Sequence, residues 1–407
     1  MTTILRPDDE DGVRDVVASA LADAVPLAIE GAGSKGCLGH PMRSRATLSL
    51  GGLSGIELYQ PEELVLSARA GTPLGDIEAA LEGSSQQLAF EPPDWGPLFG
   101  VAGGAATLGG VIACNLSGPR RIFAGAARDH LLGARVVTGR GEIVKTGGRV
   151  VKNVTGYDLC KLLAGSHGTL AAMTEITVKV LPRPEKTRTV LVFGLDDAAA
   201  IEALGLALSS PHAVSGAAHL PADIAVLSTV GYVRDAGAAV TALRIEGPEP
   251  SVAARCLALR DMLGKHGAVE ELHFQNSRTL WAEIGAATPF AGVPDDASVL
   301  WRVSVPPAHG AALGGALSAR GGAKLYYDWG GGLIWVRITD GGDDGGAGLI
   351  RGAIAGGGGH ATLIRAPEAL RAVVPVFQPQ PTAVAALAER VREGFDPGRI
   401  LNPGRMG

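Results

Sequence analysis

The stretch that decides the fold opens with Gly103-Gly104-Ala105-Ala106-Thr107-Leu108-Gly109-Gly110, runs on through Cys114-Asn115 and Ser117-Gly118-Pro119-Arg120-Arg121, and closes with two further small-residue loops, Val151-Lys152-Asn153-Val154-Thr155-Gly156-Tyr157-Asp158-Leu159 and Gly165-Ser166-His167-Gly168-Thr169-Leu170. Small residues let the main chain come close to a ligand, and their N–H groups line up on phosphates with no side chain between. Gly104, Thr107, Leu108, Gly109 and Gly110 form the first candidate cluster. Asn115 adds an amide, and Gly118 with Arg121 adds a turn and a positive charge to offset a diphosphate. Asn153, Gly156, Asp158, Ser166 and Gly168 complete the set.

Upstream, Pro26-Leu27-Ala28-Ile29 reads as a strand entering the loop Glu30-Gly31-Ala32-Gly33-Ser34-Lys35-Gly36. Two readings fit this loop alone: a pyrophosphate cradle made by Gly31, Gly33, Ser34 and Lys35, or a glycine-rich turn bearing a surface lysine. It is neither GxGxxG leading into a helix with an acid about twenty residues on, nor GxxxxGK[ST]. Three separated small-residue loops in one domain nevertheless fit an extended dinucleotide better than three unrelated turns.

The bulk numbers narrow the class. A chain of 407 residues at 46% hydrophobic composition is long enough for two or three cores. With 19% charged residues and a formal net charge of −5, it advertises no basic face for nucleic acid. Its four cysteines, Cys37, Cys114, Cys160 and Cys256, include no CxxC pair, which argues for a reducing compartment and against zinc or iron–sulfur ligation. No metal site is expected. The acidic start Met1-Thr2-Thr3-Ile4-Leu5-Arg6-Pro7-Asp8-Asp9 is unlike a signal peptide, and no tract gives 18 clean apolar residues.

Periodicity predicts a helix over 9–21, strands over 26–29, 47–50 and 63–68, and a helix over 74–81. Further on it predicts strands over 132–138 and 142–146 about a Gly139-Arg140-Gly141 turn, a helix over 158–163 and a strand over 170–181. Pro182, Pro184 and their charged neighbours mark a boundary. The second unit is predicted to hold helices over 198–208, 251–263 and 308–319, and strands over 226–230, 241–245, 299–305, 333–338 and 362–365, in part as a β-α-β-like substructure. A last amphipathic helix, 383–395, leads into Asp396-Pro397-Gly398-Arg399-Ile400-Leu401-Asn402-Pro403-Gly404. The domains expected are 1–186, 187–365, and a tail, 366–407, that returns to the first.

With these anchors in order, the chain resembles the flavoproteins of the vanillyl-alcohol oxidase or p-cresol methylhydroxylase (PCMH-type) family, within it the group that oxidises glycolate and D-lactate, and most nearly the smaller FAD-binding subunits of bacterial glycolate oxidase. The resemblance implies an α+β fold: an FAD domain of two α+β subdomains, an α+β cap domain, and a C-terminal tail packed on the FAD domain. It implies FAD held by the residues above together with Glu175, Ile176 and Asn402. Some relatives link FAD to a histidine in the first loop; here Gly31, Gly33, Ser34 and Lys35 stand there, so FAD is expected to be non-covalent, with Cys37 and Cys114 the only other attachment points considered. The implied partners are a larger FAD-binding glycolate oxidase subunit and an iron–sulfur subunit, in the cytoplasm or at the inner face of the cell membrane through the complex.

Oxidation of a 2-hydroxy acid on a flavin needs a cation for the carboxylate and a polar group for the hydroxyl. Larger relatives carry a histidine-bearing glycine motif in the cap; the comparable segment here, Asp328-Trp329-Gly330-Gly331-Gly332-Leu333-Ile334-Trp335-Val336-Arg337-Ile338, has no histidine. Arg337, His360 and Arg365 are the remaining candidates for catalysis. Three functions stay open: the FAD-binding subunit of a complex oxidising glycolate or D-lactate, a self-sufficient FAD-dependent 2-hydroxy-acid dehydrogenase, and a catalytically silent flavin-loaded assembly subunit.

Overall fold

The structure is a computed structural model that describes residues 3–150, 156–292, 298–319 and 322–407. It divides into two compact units, the first made of 1–116, 125–183 and 379–407 and the second of 117–124 and 184–378. The units change at 183/184 and 378/379, where the sequence places boundaries at 186/187 and 365/366. The segment 117–124 leaves the first unit, and 366–378 stays with the second.

The first unit starts from helix Glu10–Ala22. Asp9 caps it by accepting from the Gly12 N–H at 2.7 Å, and Glu10 and Asp11 complement the positive end of the dipole. Val13, Val17 and Ala20, three and four residues apart, form one buried stripe. That stripe packs with Leu27, Leu48, Val137, Ala172, Ile400 and Leu401 in one core. A parallel three-stranded sheet places Ala46–Ser49 between Thr3–Leu5 and Leu27–Glu30. A five-stranded antiparallel sheet runs in the order Ile56–Gln60, Val65–Arg69, Ala171–Lys179, Leu131–Thr138, Ile143–Gly147. In its centre the buried hydroxyls of Ser67 and Thr177, opposite one another, share a hydrogen bond of 2.7 Å.

The second unit is built on one eight-stranded sheet, in the order Val269–His273, Lys186–Phe193, Val240–Gly247, Gly216–Leu220, Ala323–Asp328, Leu333–Ile338, Val299–Ser304, His360–Arg365. Every neighbouring pair is antiparallel, which leaves Lys186–Phe193 and Gly216–Leu220 parallel to one another on either side of Val240–Gly247 with helix Asp197–Leu208 crossing between them, so the expected β-α-β-like substructure is present as a split unit. Side chains alternate between the faces. Val190, Trp301, Val303, Tyr327, Ile334 and Val336 point into a core closed by helices Asp197–Leu208, Glu249–Leu263, Gly310–Ser318 and Ala347–Ile354. Thr189, Arg302, Tyr326, Asp328 and Trp335 alternate with them and fall on the other face.

One reading of the second unit is corrected. The apolar run Val226-Leu227-Ser228-Thr229-Val230 is not a strand but the turn between short helices Ala222–Ala225 and Gly231–Arg234. Its hydroxyls are committed to a carboxylate: Ser228 Oγ donates to Glu283 at 2.7 Å, as does the Thr229 N–H at 2.9 Å. The strand lies instead at Gly216–Leu220, Gly-Ala-Ala-His-Leu, whose weak β-propensity is overridden by burial on both faces. Strands Lys186–Phe193, Val269–His273 and Ala323–Asp328 and helix Phe274–Ala286 carry too many charges or too short a pattern to register in the sequence.

Candidate functional site

A cavity of about 920 Å³, counting the open solvent at its mouth, lies in the first unit. It is lined by the end of strand Leu27–Glu30, the loop Gly31 to Gly36, Thr107, Gly109 and Gly110 at the start of helix Leu108–Ala113, His167 and Gly168, and Asn402 and Arg405 of the tail. Thr107 caps the helix, its Oγ1 accepting from the Gly110 N–H at 3.3 Å. A Cβ on Gly31 would stand 2.3 Å from that same Oγ1, so only glycine lets the loop lie against the helix start.

Opposite, Gly168 has a φ of +71°, and a Cβ there would meet Asn402 Nδ2 at 2.7 Å. Asn402 ties three segments together. Its Oδ1 accepts from the Ile29 N–H at 2.7 Å and its Nδ2 donates to the His167 carbonyl at 2.7 Å. Arg405 donates through Nη2 to the Lys35 carbonyl at 2.9 Å.

The charges inside are unusual. Lys35 is buried, its Nζ donating to Ser34 Oγ at 3.2 Å, and burial lowers its pKa, with Cys114 and Asp94 acting the other way. Burial raises Glu30, which Arg405 offsets. The Cys114 thiol is raised by burial, so it stays protonated and is a poor nucleophile. Cys37 is exposed and is not part of the lining. His167 is pulled down to about 4, by burial first and Arg405 second.

The His167 shift has a consequence for stability. The folded chain holds the imidazole neutral while the unfolded chain takes up a proton near 6.5, so stability is intact above pH 6.5 and is lost as pH falls toward 4. The loss expected is about 3 kcal/mol at about 1.4 kcal/mol per unit. Urea melts of the cofactor-free chain at pH 7 and pH 4.5 measure it, and a His167→Gln chain should show a flatter profile.

The cavity gathers Gly31, Gly33, Ser34, Lys35, Thr107, Gly109, Gly110, Gly168 and Asn402 from the sequence-derived set. Others serve elsewhere. The Gly104 N–H donates to Asp94 at 2.6 Å, and Leu108 and Ile176 are core. Asn115 Oδ1 accepts from the Arg128 N–H at 2.9 Å. Glu175 lies opposite Arg69 and Arg135 in the five-stranded sheet. Gly156 and Asp158 border a second hollow with Asp129 and Lys161, and Asp158 caps helix Leu159–Leu163. Ser166 Oγ is buried without a hydrogen-bond partner among the described residues, one residue before the lining His167. Asn153 lies outside the described residues. Gly118 and Arg121 belong to the second unit.

Sequence reasoning missed Met42, Ala70, Met173 and Arg405 in the lining. Arg405, three residues past Asn402 in the same tail motif, was within reach of that signal. Met173 was reachable only from the inward face of its strand.

The residues fit a flavin dinucleotide. A narrow glycine-walled cradle, a buried ammonium for a diphosphate, a carboxylate and a hydroxyl for ribose or ring contacts, and apolar walls from Ile29, Leu50, Ala70, Ala171 and Met173 form the kind of donor set such a cofactor requires.

In the second unit, Arg337 sits beside Leu300 with its Nε buried and without a hydrogen-bond partner among the described residues. Arg365 flanks Leu300 from the other side and donates to the Phe290 carbonyl at 2.8 Å. His360 opens the edge strand opposite Ser304, and its pKa is lowered by burial first and then by Arg302 and Arg121. The structure therefore groups His360 with Arg302 and Arg121, while Arg337 and Arg365 lie about Leu300. Among the described residues no group of three His, Cys, Asp or Glu side chains is placed to hold a metal.

Residues 2–147 match a family model described as an FAD binding domain, and the cofactor it holds is bound non-covalently. Over 400 residues the chain is 35% identical to the glycolate oxidase subunit GlcE of Escherichia coli (strain K12), covering 98% of this chain and 97% of that one. The glycolate oxidase subunit GlcD of Bacillus subtilis (strain 168) is 32% identical over 189 residues, 46% of this chain and 38% of that one. Among solved structures, 4-ethylphenol oxidase from Gulosibacter chungangensis matches with a TM-score of 0.74 at 16% identity, covering 99% of this chain and 88% of its own. Substrate-bound p-cresol methylhydroxylase matches with a TM-score of 0.71 at 15% identity over the same shares. At those identities the likeness establishes the fold, the PCMH-type α+β fold.

Proposed function

The chain belongs to the family of the glycolate oxidase subunit GlcE, and on that premise we propose that it is the FAD-carrying subunit of a heteromeric complex that oxidises a short 2-hydroxy acid, glycolate first and D-lactate second. The observation that carries this reading is the cavity of the first unit, where a buried lysine faces a glycine-walled cradle closed by Asn402. Bound FAD supplies the two-electron acceptor that the conversion of glycolate to glyoxylate requires.

The chain's own residues hold and orient that acceptor. Lys35 places an ammonium against the diphosphate where water is scarce, so the attraction is weakly screened. The loop from Gly31 to Lys35 brings backbone close to the cofactor, while Gly109 and Gly110, whose N–H groups go to the Ala70 carbonyl and Thr107 Oγ1, keep their part of the wall free of side chains. Glu30 accepts from hydroxyls. Gly168 and Asn402 fix the opposite wall, and Cys114 packs as a protonated thiol and leaves the cofactor unlinked.

The partners proposed are a larger GlcD-like flavoprotein, to which the likeness to GlcE points, and an iron–sulfur subunit that passes electrons to a membrane acceptor. No helix among the described residues is long and apolar enough to cross a membrane, so contact with one runs through those partners. The test is reconstitution, with glycolate and an artificial electron acceptor, of the chain alone, of its partners alone, and of the full set. Turnover only in the full set supports the reading. Full turnover by the isolated chain makes it a self-sufficient dehydrogenase, and full turnover without it removes the role.

A further inference from the structure

Three neighbouring strands of the five-stranded sheet in the first unit, Ile143–Gly147, Leu131–Thr138 and Ala171–Lys179, carry another hollow, of about 980 Å³ counting the open solvent at its mouth. Its floor follows from the register. Gly147 lies opposite Gly133, and Gly133 opposite Thr177, so across two adjacent strands this row has no side chain. Neither position has room for one: a Cβ on Gly133 would stand 2.7 Å from the Gly148 carbonyl oxygen, and one on Gly147 would stand 2.1 Å from that of Leu132.

Two residues along each strand, and so on the same face, Lys145, Arg135, Glu175 and Arg69 stand each opposite the next. Three cations in this row meet one carboxylate. Arg69 is matched outside it by Glu57 at 2.7 Å, and Arg135 grips Glu10, its Nε donating at 3.0 Å. Lys145 is left facing Arg135, and like charges directly opposite one another destabilise a strand pair. Lys145 makes no ion pair or side-chain hydrogen bond among the described residues, and neither does Arg149, which also lines the hollow.

The surplus of positive charge is local. From position 135 to 161 the sequence sets Arg135, Arg140, Lys145, Arg149, Lys152 and Lys161 against Glu142 and Asp158, in a chain whose 41 acids outnumber its 36 bases. The acids on the second hollow, which shares Gly147 with this one, are already engaged: Asp158 lies 3.7 Å from Lys161, and Asp129 accepts from the Ala126 N–H at 2.8 Å. Apolar groups stand open to water there, Val150 at 60% exposure and Tyr157 at 94%. A cationic hollow by itself takes any anion. Cations flanked by an exposed valine and tyrosine suit a protein surface, because tyrosine is enriched at interfaces and complementary charge fixes the register of docking.

We propose that this face of the first unit docks an acidic segment of a partner subunit, whose carboxylates meet Lys145 and Arg149 and whose apolar side chains cover Val150 and Tyr157. The proposal rests on the reading of the chain as one subunit of a heteromeric complex, and it says which surface holds the chain there. Lysine at position 145 then serves the partner, since a carboxylate there would suit Arg135 better in the isolated chain.

That conflict between stability and assembly is measurable. Wild type, Lys145→Glu and the Lys145→Glu/Arg149→Glu double variant, each loaded with FAD, are compared by biolayer interferometry for binding to the partner subunits, at about 50 mM and about 500 mM salt. Wild type should bind more weakly at the higher salt, and at the lower salt Lys145→Glu should lose about tenfold and the double variant about a hundredfold in affinity, with a flatter salt dependence. Tyr157→Ser should lose about tenfold at both salts. The melting temperature of Lys145→Glu should equal or exceed that of wild type at unchanged flavin content, a combination that a merely structural lysine would not give. Wild-type affinity in the double variant overturns the proposal and leaves the complex standing. Failure of the wild-type chain to bind the partners removes the complex and the proposal together. Assembly unaffected by the substitutions, with wild type alone binding vesicles of equimolar phosphatidylglycerol and phosphatidylcholine, makes this a membrane-facing surface and also overturns the proposal.

Discussion

Replacing Lys35 by Met should stabilise the cofactor-free chain while weakening FAD about ten- to a hundredfold. The ammonium is buried, and among the described residues Ser34 Oγ is its one hydrogen-bond acceptor. Burial lowers its pKa from the ordinary 10.5. A buried polar group short of partners costs about 1–3 kcal/mol, and methionine has similar length with no charge to desolvate, so the empty chain gains on that scale. With its folded pKa lowered, Lys35 detracts from stability wherever it must stay charged in the folded chain. Its share of stability therefore falls as pH drops from 10.5 through the folded value, and Lys35→Met should flatten that part of the pH profile. In the loaded chain the sign reverses, because the ammonium meets the diphosphate in a poorly screened site. Thermal melts of the two empty proteins and a fluorescence titration with FAD measure both effects. Unchanged FAD affinity in Lys35→Met would place the diphosphate elsewhere.

The first unit was largely legible before the structure because its elements carry local signals. Asp9 before an acidic first turn, Thr107 before a small-residue helix and Asp158 before Leu159 are all side-chain caps, and each marks an observed helix start. The loops Gly31 to Gly36 and Thr107 to Gly110 converge on one cavity because glycine spacing reports where backbone approaches something closely. Arg121 shows the limit of that reasoning. Its small-residue context reads as cofactor loop, yet the segment folds with the second unit, held by the bond from Trp329 Nε1 to Gly118, a contact between residues 211 positions apart.

Asn402→Ala should be the most disruptive single change in the first unit, lowering stability by about 2–6 kcal/mol. The tail reaches the three-stranded sheet by main-chain bonds, the Leu27 N–H donating to the Ile400 carbonyl at 2.7 Å and the Asn402 N–H to the Leu27 carbonyl at 2.9 Å. The Asn402 side chain then serves two further segments, taking the Ile29 N–H and giving to the His167 carbonyl. Alanine strands both of those groups, at about 1–3 kcal/mol each when they are shut away from water. It must also adopt the left-handed φ of +44° at this position, which asparagine tolerates better than alanine. For a unit of this size the melting temperature should drop by roughly 5–15 °C. FAD retention should fall with it, because Ile29 and His167 border the cavity on two sides. Asn402→Asp separates the two bonds: the carboxylate still accepts from Ile29, but it faces the His167 carbonyl with no proton to give, so a loss intermediate between wild type and alanine is expected. A melting temperature for Asn402→Ala within a degree of wild type would mean that the main-chain bonds alone hold the tail.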